Sequence, residues 1–504
     1  MSESLRCVPP QTVLTGWDFS TGACKCLAFD LQGNILAESR FGTDLWTAGG
    51  VSELNLLLLE GQARATTRAI AARLREIGRL KDWAAGGISA THHTAGRIDA
   101  DSNPIRRAIC WNDATLARYH ARGLERLGGQ ERVRSLIGGP WASRYSLSHL
   151  VKDEETLPRS AWEATWRILP HASLAAGYLT GNFDAISISS AASSGLMDLR
   201  SCQWQPVMLE ALANEDYRNR VLKALPPIVT QEVPVGPLSE SLCDEFGITS
   251  APLIFPPSDD QAAGLIGAGA VDDGHLAIIL GNSAVVNSSS NRMPTHGNLD
   301  VMRLNWGPYL WMRCYNNGAQ FVDGLLGEKP DWATLEQAGR AVPAGCNGVR
   351  VRPFLHPEPS LGVAEPWLAW SPQEPSEPGV RYRAGLEALA FLIARAVREH
   401  EQAGQTITRI TVSGGLAKSN LMLEILASVL NRSLDRLQSS EGPALGAAVT
   451  ALAALENSRR LERNLEGTYP MDAAVRQLVQ FQQAVPPCAA WVGVYQQAMS
   501  SLDF

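Results

Sequence analysis

Apolar residues near the start of the chain come in short runs broken by small polar turns. Val13-Leu14-Thr15-Gly16-Trp17-Asp18-Phe19 reads as a strand and Ser20-Thr21-Gly22-Ala23 as a turn. Cys24-Lys25-Cys26-Leu27-Ala28-Phe29-Asp30 reads as the returning strand, and Gln32-Gly33-Asn34 as a further hairpin turn. Leu54 to Ile77 carries apolar residues at helical spacing, and Ile88 begins another strand after Gly86-Gly87. The theme returns in the second half, where Leu276-Ala277-Ile278-Ile279-Leu280, the turn Gly281-Asn282-Ser283 and Ala284-Val285-Val286-Asn287 repeat it. One such strand, turn and strand near the start of each half suggests an internal duplication. Prolines at 226, 227, 234 and 237, then 252, 256 and 257, place a domain boundary near residue 250. Tyr382 to Glu401 predicts an amphipathic helix, and Ile407 to Val412 a strand broken by Gly414-Gly415 into another helix. The Pro-rich run 353–378 reads as a surface excursion or a lip over a cleft.

Composition narrows the class. A chain of 504 residues exceeds one ordinary core, so two large domains are expected, 1–250 and 251–504. Hydrophobic content of 45% with 19% charged residues fits a soluble enzyme. A net charge of −7 argues against nucleic acid as a partner. There is no apolar run of membrane-spanning length, so no membrane span is expected. Met1-Ser2-Glu3-Ser4-Leu5-Arg6 lacks the pattern of a secretory leader. Nine dispersed cysteines fit unpaired thiols in a reducing cytoplasm. Cys24 and Cys26 share a strand face without forming a metal-ligand pair.

Candidate chemistry concentrates around Ser258-Asp259-Asp260-Gln261-Ala262-Ala263-Gly264. It places an acidic pair at the start of a helix built from very small residues. One of the pair is expected to cap that helix. Asp260 is the candidate general base, because an acid held there can take a proton from a substrate hydroxyl. Propensity does not explain the glycines of 262–269, whereas close approach of a ligand or another element does. Asp18, beside a turn able to hold phosphate oxygens, could bind Mg²⁺ directly or through water. Ser413-Gly414-Gly415-Leu416-Ala417-Lys418-Ser419 is a Gly-rich strand-to-helix turn on which a base or ribose could lie, without P-loop spacing. The small-residue helix from Glu441 to Ala448 could form the far wall of that pocket. His92 and His93, on an extended segment, are expected to point to opposite sides, so that at most one faces a given cleft. Trp111-Asn112-Asp113 supplies a flat apolar wall with an amide and a carboxylate, a set suited to a sugar.

Taken in order, these segments resemble the FGGY carbohydrate kinases, most of all the xylulokinases among them. Gly16 to Lys25 looks like the first phosphate motif, Ser89 to Thr94 with Ile105 to Asp113 like the sugar region, and Leu179-Thr180-Gly181 with Asp184, Ala191 and Asp198 like the motif after it. Asp260 to Gly264 resembles the catalytic segment, Gly281-Asn282-Ser283 the second phosphate motif, and Gly414 to Ser419 with Glu441 to Ala448 the adenosine motif. The resemblance implies an α/β fold of two actin-like (ribonuclease H-like) ATPase domains flanking a cleft. It implies ATP and Mg²⁺ as cofactors, with Asp18 organising the metal and Asp260 acting as base. Phosphate and nucleotide contacts would come from Ser20, Thr21, Gly22, Lys25, Gly281, Asn282, Ser283, Gly414, Gly415, Ala417 and Ser419. Sugar contacts would come from His92, His93, Trp111, Asn112, Asp113 and Gln261. The expected activity is ATP-dependent phosphorylation of a sugar hydroxyl, with D-xylulose or a related ketopentose or polyol as acceptor. A homodimer is compatible with this reading.

Several positions depart from the family pattern. Pro256-Pro257-Ser258-Asp259 replaces the usual glycines, Asn282 a threonine, Ser20 a glycine, and Pro357-Glu358-Pro359 stands for Gly-Glu-Arg. These changes keep two rivals in view. One is a sugar-binding regulator that has lost transfer, and the other is an actin-like ATPase acting on protein partners. The Trp-Asn-Asp and His-His segments disfavour the second, which has no need of a polyol pocket.

Overall fold

Strand β1, Val13–Phe19, is buried along its whole length, as a strand covered on both faces must be. It pairs antiparallel with β2, Ala23–Phe29, which pairs antiparallel with β3, Ile35–Gly42. On its other side β1 runs parallel to β4, Trp83–Ala90. Two short strands, β5 (Leu253–Ile254) and β6 (Ser258–Asp259), extend β4 in parallel. Helix α1, Leu57–Glu76, covers the sheet with Leu59, Ala63, Thr66, Ile70 and Leu74, a spacing that lines one helical face. The Trp17 indole N–H, buried beneath α1, donates to Thr66 Oγ1 at 3.1 Å.

The computed structural model describes residues 6–327, 330–439 and 441–500. Met1–Leu5, part of the N-terminal segment read above, lie outside them. The chain forms two compact units. The first comprises 1–267, 300–310 and 443–479, and the second 268–299, 311–442 and 480–504. A single cut near residue 250 therefore does not separate them. Helix α2, Asp260–Gly267, and helix α4, Gly442–Glu462, both belong with the first sheet, apart from the first residue of α4.

Backbone contact explains why. A Cβ on Gly16 would lie 1.8 Å from the Ala444 carbonyl oxygen, and one on Gly87 would lie 2.0 Å from that of Ala447. On the same helix, a Cβ on Gly446 would lie 1.8 Å from the Ala263 oxygen of α2. The small residues of α2 thus admit another helix. Gly86-Gly87, read as a break before a strand, lie inside β4, Gly87 against the backbone of α4 and Gly86 against the Trp17 ring, 2.3 Å from a would-be Cβ.

In the second unit β7 (His275–Leu280) pairs antiparallel with β8 (Ala284–Ser290) and parallel with β9 (Arg409–Ser413). Strand β10, Asp435–Arg436, continues in parallel. Both units therefore set an antiparallel hairpin beside parallel strands, the arrangement behind the repeated sequence theme. The predicted amphipathic helix is α3, Pro378–Gln402, with Leu386, Leu389, Ile393 and Val397 in the core. Its Arg383, fully buried, donates to Glu387 Oε1 and to the Tyr495 hydroxyl, both at 2.9 Å. The guanidinium also lies 4.5 Å from the Trp491 ring, so α5, Ala489–Ser500, is anchored to α3. The Pro-rich excursion contains a hairpin of Arg350–Phe354 with Trp367–Ser371. Among the described residues no helix is long and apolar enough to cross a membrane, and none of the nine cysteines forms a disulfide.

Gly16→Ala should force α4 off the sheet and lower stability by about 1–3 kcal/mol or more in thermal unfolding. Gly22→Ala, with nothing within 4 Å of the added Cβ, should melt like wild type.

Candidate active site

In an open α/β sheet the carboxyl ends of the parallel strands are where ligands bind. The first unit gathers its acidic residues there. Asp18 on β1 pairs across to Ser89 on β4, which pairs to Ser258 on β6. One step further, Phe19, Ala90 and Asp259 share the next row. Asp260 follows as the first residue of α2, and His92 and His93 follow the end of β4.

The acidic pair divides its duties. Asp259 is the cap, its Oδ1 accepting from the Gln261 and Ala262 amides at 3.0 Å each. Its Oδ2 accepts from Ser189 Oγ at 2.6 Å. Asp260 is thereby released from capping. It is half-buried, and its Oδ1 accepts from the His92 amide at 3.3 Å and the Gln261 side-chain amide at 3.4 Å. Burial, then the charges of Asp259 and Asp18, push its carboxyl up to about 8. A proton acceptor titrating near the working pH is suited to general base catalysis. Asp18 is buried and accepts from Ser89 Oγ at 3.2 Å.

The two histidines do not face opposite ways. His93 adopts φ 51°, a left-handed conformation uncommon for a residue with a side chain. That twist swings its ring onto His92, with centroids 3.6 Å apart, and Tyr145 stacks on the other side at 4.3 Å. Burial lowers the pKa of both rings, so both are neutral. His93 Nδ1 lies 2.9 Å from the Ser193 carbonyl oxygen, which can only accept, so the proton sits on Nδ1. Its Nε2 is then an acceptor, buried and without a hydrogen-bond partner; Nε2 of His92 is likewise buried and without one. Orphaned ring nitrogens of this kind suit the hydroxyls of a polyol, which donate and accept.

Trp111 and Asn112 are exposed on the turn after Ala108–Ile109. Asp113 is buried and serves its own turn, accepting from the Thr115 amide at 2.8 Å and from Lys152 Nζ at 2.7 Å. Burial opposes its charge, but the Lys152 and Thr115 hydrogen bonds outweigh this and hold its pKa below the usual range. In the family-like motif beyond, Asp184 pairs with Arg167 and Asp198 with Arg200.

In the first phosphate-type turn Ser20 Oγ donates to the Ala23 oxygen at 2.8 Å, and Thr43 Oγ1 donates to the Thr21 oxygen. Gly22 is exposed, and half-buried Lys25 stands opposite Asp18 in the β1–β2 register. Two residues escaped the sequence reading. Asn305 accepts from the Ser189 amide at 2.8 Å and donates to Pro257 O at 3.0 Å and Ser258 Oγ at 3.2 Å. With Ser189 it brackets the Pro-Pro-Ser-Asp segment. Neither carries a local motif, so only their contacts identify them.

The second unit holds a cavity of about 650 Å³. Gly281, Asn282, Gly415 and Ser419 line it, together with Trp332, Glu336 and Tyr382. The turn 281–283 is braced from below, the Gly318 amide donating to Asn282 O and the Ala319 amide to Gly281 O. Gly414 has φ 98°, and a Cβ there would lie 2.5 Å from Leu280 O. Ala417 is buried, and Ser419 caps the helix Asn420–Leu430 by accepting from the Met422 amide. Residues 443–448, expected as a wall of this cavity, belong to the first unit.

The model of the FGGY carbohydrate kinase N-terminal domain matches residues 13–267, and that of the C-terminal domain residues 311–455. The chain belongs to the FGGY family of carbohydrate kinases. A xylulose kinase of Escherichia coli is 26% identical over 88% of this chain and 91% of its own. One from Haemophilus influenzae is also 26% identical, over 73% and 74%. The fold matches a crystal structure of a xylulose kinase from Rhodospirillum rubrum with a TM-score of 0.82, at 20% identity over 97% of both chains. The expected actin-like α/β architecture and kinase class thus hold for this FGGY protein.

Ser189→Ala should lower turnover about tenfold by loosening the Asp259 cap, since a buried hydrogen bond to a charged group contributes about 1.5–3 kcal/mol. Steady-state kinetics should show the loss in kcat, with KM for the nucleotide unchanged.

Proposed function

We propose that this FGGY kinase phosphorylates D-xylulose or a related ketopentose or polyol, using ATP with Mg²⁺. The observation that carries the reading is Asp260, freed from capping by Asp259, with its carboxyl raised beside Asp18. The sugar class rests on the curated relatives named xylulose kinase. A relative named L-fuculokinase, 25% identical over 87% of this chain, keeps neighbouring sugars in the panel.

Asp260 takes the proton of the sugar hydroxyl as its oxygen bonds to the terminal phosphorus of ATP. The bond from that phosphorus to the bridging oxygen breaks, and ADP leaves. His93 Nε2 accepts from another hydroxyl, and His92 Nε2 bonds a further one, so that the pair holds the sugar in register. Hard carboxylate oxygens are the ligands Mg²⁺ prefers, and those of Asp18 offer that chemistry. The ion, when bound, neutralises phosphate and carboxylate charge. Thr21, Gly22, Gly281, Asn282 and Ser283 hold phosphate oxygens in this reading, while Trp111, Asn112 and Gln261 contribute to the sugar site. Asp113 acts through Lys152 and Thr115 by holding its turn.

A coupled ADP-release assay over ketoses, aldoses and polyols is expected to give the highest kcat/KM with D-xylulose or a close relative. Asp260→Asn should lower kcat at least about a hundredfold, in keeping with loss of a general base. Near wild-type turnover of that variant rejects the base assignment, and ADP release indifferent to every sugar rejects the sugar kinase reading.

A further inference from the structure

Trp332 lines the second-unit cavity, yet the residue is 44% exposed. It is the first residue of the helix Trp332–Ala341, whose start is fixed by Asp331 accepting from the Ala333 and Thr334 amides. One turn on, Glu336 ties this helix to the Gly-rich turn opposite. Its Oε2 accepts from Ser419 Oγ at 2.6 Å and its Oε1 from the Leu421 amide at 2.7 Å. Tyr382 joins the same network through its hydroxyl, 3.2 Å from Ser419 Oγ, and is almost wholly buried. Tyr382 is therefore committed to scaffolding. Trp332, its ring centroid 6.3 Å from that of Tyr382 and tilted by 58°, keeps much of its surface open. Gly415, also lining the cavity, has nothing within 4 Å of a would-be Cβ.

From this arrangement we infer that Trp332 is the stacking platform for the purine base of the nucleotide. The inference rests on the ATP reading above and adds the residue that grips the base. A pinned helix start presents a flat ring to the cavity, so little ordering is needed on binding. Indole faces attract any purine, whereas the bare backbone at Gly415 leaves room for the base or ribose. The carboxylate of Glu336 is committed to holding the scaffold, accepting from Ser419 and Tyr382 on one oxygen and from Leu421 on the other. The platform therefore selects for a purine ring over no base, more than between adenine and guanine.

The test measures dissociation constants for ADP and for inorganic tripolyphosphate by calorimetry on the full chain. Trp332→Ala should weaken ADP about fivefold to a hundredfold, the range for losing one base–aromatic stack. Tripolyphosphate, which has no base, should bind the variant as it binds wild type, and Trp332→Phe should recover most of the ADP affinity. Thermal unfolding of Trp332→Ala should match wild type, because the residue is half-exposed. Unchanged ADP affinity in Trp332→Ala overturns the platform, as does an equal loss for tripolyphosphate. Either result with sugar-dependent ATP consumption intact in wild type leaves the kinase reading standing, whereas a wild-type protein that consumes no ATP with any sugar fails that reading separately.

Discussion

Burial of a cluster of like charges sets the terms for the first unit. Asp18 and Asp259 sit at the carboxyl ends of β1 and β6, which flank β4, with Asp260 next in the chain, and burial together with mutual repulsion raises the last of them to about 8. Such crowding opposes folding wherever all three are ionised. It persists because other groups hold the pieces. Asp259 is tied to two helix amides and to Ser189, Asp18 to Ser89, and the segment between them to Asn305. The result is one acid left unoccupied by capping, close to a neutral histidine pair.

Small residues make that geometry reachable. Helix α4 lies with its backbone against β1 and β4 at Gly16 and Gly87, and α2 meets it at Gly446. Larger side chains at any of these would push α2 outward and carry Asp260 with it. Stability and function thus share the same glycines, and a loss of packing would register as a loss of turnover.

Much of this could be read from the chain. The hairpins around Ser20-Thr21-Gly22 and Gly281-Asn282-Ser283 were legible because strands and tight turns write themselves in adjacent residues. The acidic pair announced a helix start for the same reason. The division of labour between Asp259 and Asp260 was not legible, because it depends on Ser189, 70 residues away. The stacking of His92 on His93 was missed because a positive φ at a histidine has no sequence signal. Asp113 suggested a sugar contact from its neighbours, whereas its carboxylate is bound to Lys152. The assignment of 443–479 to the first unit escaped local reading, since helix α4 shows smallness but not what it touches.

The account turns on the electrostatic state of Asp260, and carboxyl-carbon NMR titration of the metal-free protein reads it directly. Its folded-state pKa lies above the unfolded value, so its contribution to stability is complete below about pH 4 and lost as pH rises through the midpoint. The account predicts a midpoint near 8 for Asp260. Asp18→Asn removes one negative neighbour, so the midpoint should fall. A midpoint in the ordinary carboxylate range, near about 4, or one that Asp18→Asn leaves in place, would contradict it.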